Sequence, residues 1–133
     1  VKNYNEIMDV LITRVSLRQI EALFLEENST CGLLMGHQLG PRIIIESIFP
    51  LPGVMGFTLD KLFQLTRVFG PDFIGFFTTK SGEMPSKQIL SPFAAGMLFS
   101  RLDQENSEMD FYQIEYNGKF YLKKLDFFHE EPI

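Results

Sequence analysis

The chain has few of the side chains that hold transition metals or form crosslinks. Its 133 residues include one cysteine, Cys31, and two histidines, His37 and His129. A single cysteine excludes an intrachain disulfide. Because protein zinc sites draw mainly on cysteine and histidine, a zinc site here would use nearly all three residues. The composition therefore disfavours a metalloenzyme, and we expect no metal or other cofactor.

Basic residues are also scarce. Lysine and arginine total 12 against 17 aspartates and glutamates, which gives a formal net charge of −5. Nucleic-acid binding depends on cations that neutralise phosphates, so the sequence disfavours a nucleic-acid partner. One acidic stretch, residues 103–110, holds four carboxylates and no base. It is typical of a solvated turn between two strands, and its functional alternative is a docking surface for a basic partner.

Targeting and membrane signals are absent from the sequence. The first residues show no basic region followed by an apolar run and a cleavage site. No apolar run approaches the roughly 20 residues of a membrane span. The chain begins with Val1 rather than methionine, which is typical of a processed chain or of a domain within a longer protein. We expect a cytoplasmic protein with no membrane partner.

Apolar patterning, in contrast, is abundant. Hydrophobic residues make up 45% of the chain, and 14 residues are phenylalanine. Apolar runs bounded by turn residues predict strands, and Asn117-Gly118 predicts a tight hairpin between the last two. The predicted strands cover residues 9–13, 31–38, 42–50, 73–79, 97–102, 111–116 and 119–127.

Two helices are predicted between these strands. Ser16 followed by Gln19 forms a capping-box pattern, and the apolar spacing beyond it predicts a helix to about Glu27. Thr58 precedes a second apolar stripe, which predicts a helix over residues 59–69.

The order of these elements predicts one domain over residues 1–133. A further short helical stretch is expected near residues 86–90, and no linker, repeat or low-complexity segment interrupts the pattern. Strands that alternate with helices favour an α/β (or α+β) class, with a central mixed β-sheet flanked by helices.

Several short motifs carry a family resemblance. A strand with glycines at both ends, Cys31–Gly36, is followed by Ile43–Pro52, which ends in Pro-Leu-Pro. Gly75–Phe77 and the pair Pro85-Ser86 come later, in the same order as in the MPN/JAMM domain family. Over residues 9–127 the chain resembles that family. The resemblance implies an MPN/JAMM-like (cytidine-deaminase-like) fold.

The zinc-binding and general-base positions of active members of that family are altered here. Those members are zinc hydrolases in which two histidines and an aspartate hold zinc and a glutamate acts as general base. Thr78 and Lys80 stand at the histidine positions, Ile89 at the aspartate and Ser29 at the general base, while the motif serine is kept as Ser86. The resemblance therefore implies a catalytically inactive, metal-less member.

Resemblance to a metal-less member of that family implies a scaffold role. We expect a non-catalytic protein-interaction module whose partner is an active MPN-domain protein or a second copy of this chain. The alternative is a divergent, isopeptidase-like hydrolase that uses a relocated metal or the loop from Lys80 to Ser86.

Three smaller hypotheses concern single residues and strand edges, and geometry excludes the first of them. Cys31 and His37 lie six residues apart in one predicted strand, about 20 Å at roughly 3.3 Å per residue, which excludes a nucleophile–base pair. Phenylalanines at element ends, Phe49, Phe57 and Phe127-Phe128, are candidates to anchor a partner, because aromatic residues are enriched at interface centres. Peptide capture on a sheet edge is the third.

Overall fold

A computed structural model describes residues 7–51, 64, 67–79 and 96–130 of the chain. Within those residues the backbone forms seven strands and a first helix, with a 3₁₀ turn at Gly70–Asp72. All seven predicted strands are confirmed, and the third has the predicted bounds. The elements are β1 Asp9–Ile12, α1 Arg14–Phe24, β2 Cys31–Leu39, β3 Arg42–Pro50, β4 Phe73–Thr78, β5 Leu98–Asp103, β6 Glu108–Tyr116 and β7 Phe120–His129.

The seven strands close into a barrel in the order β1-β3-β2-β4-β5-β6-β7. Closure comes from β1, which pairs in parallel with β3 on one side and with β7 on the other. The ladder to β7 runs from Asp9 opposite Asp126 to Ile12 opposite His129. The expected central sheet flanked by helices is therefore wrong, and so is the MPN/JAMM-like α/β fold. The two strands that would have been sheet edges pair with each other instead.

Closure also removes the sheet edge that the peptide-capture hypothesis requires. Each of the seven described strands has a neighbour on both sides. A peptide that extends a sheet needs a row of unpaired backbone groups. Edge capture on this barrel is therefore not available.

Amide exchange in β1 tests this closure. Successive residues of a strand direct their N–H groups to opposite neighbours, so one of Val10 and Leu11 faces β3 and the other faces β7. We expect both amides to exchange slowly when followed by NMR in deuterated buffer. Fast exchange at one of the two would mean that β1 is an edge strand and that the barrel is open.

The barrel interior is filled by apolar side chains from every strand. They form one buried cluster together with Ile20 and Leu23 of α1. Because only the interior is shared by all seven strands, this cluster is the core of the barrel. The strand members are Val10, Ile12, Leu34, Ile43, Ile45, Ile48, Phe77, Leu98, Leu102, Phe111 and Leu125.

A second cluster of buried apolar side chains lies on the outer surface of the barrel. Its strand residues alternate with those of the interior, as Phe76 does with Phe77. Burial on both faces explains why β2 and β4 read as continuous apolar runs rather than alternating ones. The members are Cys31, Leu33, Phe73, Phe76, Phe99 and Ile114.

Helix α1 lies at the end of the barrel where β1, β3 and β5 finish. Its N-cap is Thr13, whose hydroxyl accepts a hydrogen bond from the Ser16 amide at 3.2 Å. The predicted cap at Ser16 is therefore wrong. Ser16 is buried within the first turn and donates to the carbonyl oxygen of Ile45 at 2.9 Å. This bond fastens the start of α1 to β3.

The two glycines of β2 are required by the closeness of its neighbours. A Cβ at Gly36 would lie 1.8 Å from the carbonyl oxygen of Ile44, and one at Gly32 would lie 2.3 Å from that of Phe49. Both contacts are far shorter than van der Waals separation. The glycine-flanked pattern that suggested an MPN/JAMM strand thus has a local cause in β2–β3 packing.

The second predicted helix is only partly described. Residues 64 and 67–69 are helical, and Gly70 follows with a φ of 66°. The rest of residues 59–69 and the stretch 86–90 lie outside the described residues. In the part of the chain that is described, no helix is long and apolar enough to cross a membrane.

Candidate functional site

An open pocket of about 360 Å³ lies at the α1 end of the barrel. It sits where the end of α1 and the start of β2 meet the ends of β4 and β5. We call it the acidic mouth, because four of its lining side chains are carboxylates. The described lining consists of Glu26, Glu27, Ser29, Thr79, Asp103, Gln104 and Glu105.

Gln104 joins the two sides of the acidic mouth. It follows β5, and its side-chain amide donates to the carbonyl oxygen of Leu23 at 2.9 Å and to that of Asn28 at 3.2 Å. Leu23 is in the last turn of α1, and its carbonyl oxygen also accepts a hydrogen bond from the Glu26 amide at 3.1 Å. One glutamine therefore holds the β5–β6 turn against the end of α1.

The floor of the acidic mouth is fixed by two threonines. Thr79 is 3% exposed, and its hydroxyl accepts from the Thr30 amide at 2.8 Å and donates to the Thr30 carbonyl oxygen at 3.1 Å. The Thr79 amide donates to the same carbonyl at 2.9 Å. These bonds extend the β2–β4 ladder by one residue and keep Ser29 beside Thr79.

Asp103 shapes the turn that forms one wall. Its carboxylate accepts from the Asn106 side chain at 2.8 Å and from the Glu105 amide at 3.0 Å. The hydrogen bond from the Asn106 side chain is the main reason that the pKa of Asp103 lies below its ordinary value. Asp103 therefore stays ionised at neutral pH. The turn predicted over residues 103–110 is present but shorter, over residues 104–107, because β5 extends to Asp103 and β6 begins at Glu108. Ser107 in this turn has a φ of 54°.

The electrostatic character of the acidic mouth is strongly negative. Glu26, Glu27 and Glu105 are exposed, and the described residues offer them no ion-pair partner. The C-terminal end of α1 adds the partial negative charge of the helix dipole. None of the described lining residues is basic. Among the described residues, the four carboxylates of the acidic mouth form a patch that attracts cations.

Asp110, which follows the turn, differs from the carboxylates of the acidic mouth in having basic neighbours. Asp110 lies 3.5 Å from both Arg101 and Lys124, so its charge is compensated within the chain. The acidic stretch noted in the sequence therefore divides. Asp103 and Glu105 face the acidic mouth, whereas Asp110 belongs to a surface ion-pair network.

The positions singled out by the family resemblance are only partly described. Ser29 lines the acidic mouth, and Thr78 ends β4 opposite Cys31. Lys80, Ser86 and Ile89 lie outside the described residues, as does the loop of the hydrolase hypothesis, which stays a prediction.

Metal-ligating residues are dispersed over the part of the chain that the structure describes. No three of its histidine, cysteine, aspartate and glutamate side chains are grouped to hold a metal ion. Cys31 is buried at the start of β2. His37 is exposed farther along the same strand, where its ring pairs with the Glu46 carboxylate. The sequence argument that separated Cys31 from His37 is thus confirmed.

Sequence reasoning missed Glu26, Glu27 and Gln104 as members of one site. The glutamates read as the solvated end of a helix, and Gln104 as a turn residue. The only available signal was that carboxylates cluster both after α1 and after β5. Their meeting depends on the path of α1 across the end of the barrel, which the local pattern does not reveal.

Comparisons with known proteins bear on the fold. No protein-family model matches the chain, and no curated protein matches its sequence. The structure is similar to the solution structure of protein DSY2949 from Desulfitobacterium hafniense, with a TM-score of 0.60 and 19% identity over 93% of this chain and 94% of that chain. At that identity the likeness shows the fold alone. The interpretation of the chain as an MPN/JAMM-like member is therefore wrong, and what it shares with a solved structure is the fold of DSY2949.

Proposed function

We propose that the chain is a non-catalytic protein-interaction module that holds a basic segment of a partner protein at the acidic mouth. The observation that carries the proposal is the convergence of four carboxylates and a helix C-terminus on one open pocket. Lysine and arginine side chains are long enough to reach such carboxylates from a partner's surface. Charge of one sign in a cleft also steers an oppositely charged partner toward it.

The dimensions of the acidic mouth suit a peptide segment better than a single ion. About 360 Å³ of open space is within the range of pockets that hold small ligands. Its carboxylates are spread over a helix end and a turn, so they suit several cations along a chain. A small metal ion instead needs oxygen ligands at about 2.0–2.6 Å from one point.

The partner is proposed to be a different protein rather than a second copy. Two chains that each carry a net charge of −5 repel one another at long range. An MPN-domain partner followed only from the family resemblance and is not proposed. The same acidic balance disfavours nucleic acid as a partner. A cytoplasmic location is part of the proposal.

Charge neutralisation tests the acidic mouth. We expect Glu27→Gln/Glu105→Gln to weaken binding of a fluorescein-labelled peptide of alternating lysine and serine about fivefold, since each exposed ion pair contributes about 0.2–1 kcal/mol. Fluorescence anisotropy at low ionic strength gives the dissociation constants, and binding should weaken further as salt is added.

The matched control is Asp72→Asn/Glu115→Gln, which changes the net charge equally but lies outside the acidic mouth. It should weaken binding less than about twofold, because it alters only the long-range field. If both double variants lose affinity equally, the peptide senses net charge alone, and the acidic mouth is not a binding site.

A further inference from the structure

A second surface lies on the outer face of β7, β1 and β3. Leu11 stands opposite Phe128 in one ladder and opposite Ile44 in the other, so the three residues form one row across the barrel. Val10 and Ile12, the neighbours of Leu11, point into the core. Since side chains alternate along a strand, the row Phe128–Leu11–Ile44 faces outward. We call it the outer apolar row.

The outer apolar row is accessible, and its aromatic ring is stacked against an arginine. Phe128 is 39% exposed, and Leu11 and Ile44 are half-buried. The Arg42 guanidinium lies 4.4 Å from the centre of the Phe128 ring and donates to Asp9 at 2.8 and 3.2 Å. This stacking restrains an exposed aromatic side chain, which lowers the entropy lost when a partner contacts it.

The charges around the outer apolar row are mainly negative. Arg42 is neutralised by Asp9, and the hydrogen bond that Arg42 donates to Asp9 raises the pKa of Arg42 above its ordinary value. Asp126 and Glu46 lie beyond the row on β7 and β3, and both are exposed. Glu46 also pairs with the His37 ring. An apolar centre with an acidic rim is therefore what a partner meets.

We propose that the outer apolar row is a second docking surface, which binds a protein segment carrying apolar side chains flanked by lysine or arginine. Charge complementarity selects this occupant, since basic flanks would meet Asp126 and Glu46. A second copy of the chain is disfavoured because a two-fold interface would bring the same acidic rims together. The inference rests on the proposed function as a protein-interaction module, but it concerns a surface separate from the acidic mouth.

Panning a random-peptide display library against the whole chain tests the proposal. Enriched peptides should combine apolar residues with lysine or arginine. They should bind Leu11→Thr/Phe128→Thr about tenfold more weakly or worse, because the row supplies the apolar anchor. Threonine keeps the β-propensity of the replaced positions. Tyr121→Thr is the matched control, since Tyr121 is an exposed aromatic of β7, 43% exposed, outside the row.

A second variant keeps the test decisive if the threonine double variant melts far below the unmodified chain. Asp126→Asn/Glu46→Gln removes the rim charge and keeps the shape of both side chains, although it replaces the carboxylate that pairs with His37. It should weaken the same peptides about threefold, and because all three groups are exposed it should change the melting temperature little. Peptides without basic residues, or equal binding by the threonine and control variants, would overturn the proposal. So would a dimer in analytical ultracentrifugation that Phe128→Thr dissociates.

This experiment distinguishes failure of the acidic-mouth proposal from failure of the outer-apolar-row proposal. Peptides whose binding weakens about fivefold in Glu27→Gln/Glu105→Gln but is unchanged in Leu11→Thr/Phe128→Thr would overturn the outer apolar row and support the acidic mouth. The reverse pattern would support the outer apolar row alone. An absence of any enriched peptide would count against both surfaces.

Discussion

Gly36→Ala should lower the free energy of unfolding by at least about 4 kcal/mol, or prevent folding altogether. The added Cβ would lie 1.8 Å from the carbonyl oxygen of Ile44, which belongs to the backbone of β3. A backbone atom in a closed barrel cannot move aside as the end of a flexible side chain can. Urea denaturation followed by circular dichroism gives the free energy, and failure to express as soluble protein would agree with the prediction.

Gly40→Ala is the matched control for this prediction. Gly40 lies in the β2–β3 turn at a φ of 60°, and no atom would lie within 4 Å of its Cβ. Its replacement should cost only the strain of a left-handed alanine, about 1–2 kcal/mol. If Gly36→Ala were as mild as Gly40→Ala, β2 and β3 would not approach as closely as described.

Phe77→Ala should cost about 3–5 kcal/mol of unfolding free energy. Phe77 is fully buried in the barrel interior, and its ring also lies 2.6 Å from the position of a Cβ on Gly32. Removing the ring leaves a cavity that strands paired on both sides cannot collapse to fill. The measurement is again urea denaturation, with unchanged dependence on denaturant as the sign that the unfolded states are comparable.

Tyr121→Ala provides the comparison for an aromatic residue outside the core. The Tyr121 side chain is 43% exposed, so its loss should cost less than about 1 kcal/mol. A similar cost for Tyr121→Ala and Phe77→Ala would contradict the assignment of the inner cluster as the barrel core.

The strands were predictable from sequence because their signals are local. The run Arg42–Pro50 is bounded by Pro41 and by a second proline at its end, and it forms β3 with the predicted bounds. Asn117-Gly118 correctly marked the β6–β7 hairpin, where Gly118 has a φ of 97°. In both cases the residues that mark the end of a strand lie at that end or directly next to it in the chain, so a local pattern is enough to predict it.

Closure of the barrel was not predictable by the same reasoning. It depends on β1 pairing with β7, between residues as distant as Ile12 and His129. Periodicity shows which face of a strand is buried, but it does not identify the neighbouring strand. The order of strands and helices fits both an open sheet and a barrel. The family resemblance favoured the open sheet, but it rested partly on the two glycines of β2. The close packing of β2 against β3 explains those glycines.

The candidate site was predictable in part. Asp103 and Glu105 were recognised as an acidic segment that could receive a basic partner, and both line the acidic mouth. Glu26 and Glu27 are solvated, as expected at the end of a helix, but their proximity to β5 was not predicted. It arises because Gln104 bridges to Leu23 and Asn28. Long-range contacts of that kind leave no periodic trace in the sequence.

The most direct test of the account is an NMR titration of the whole chain with the alternating lysine–serine peptide. We expect the amide shifts to change mainly at the acidic mouth, in residues 26–29, 79 and 103–105, and to lose that pattern in Glu27→Gln/Glu105→Gln. Small changes spread over every acidic part of the surface, or shifts that persist unchanged in the double variant, would contradict the claim that the acidic mouth binds a basic segment.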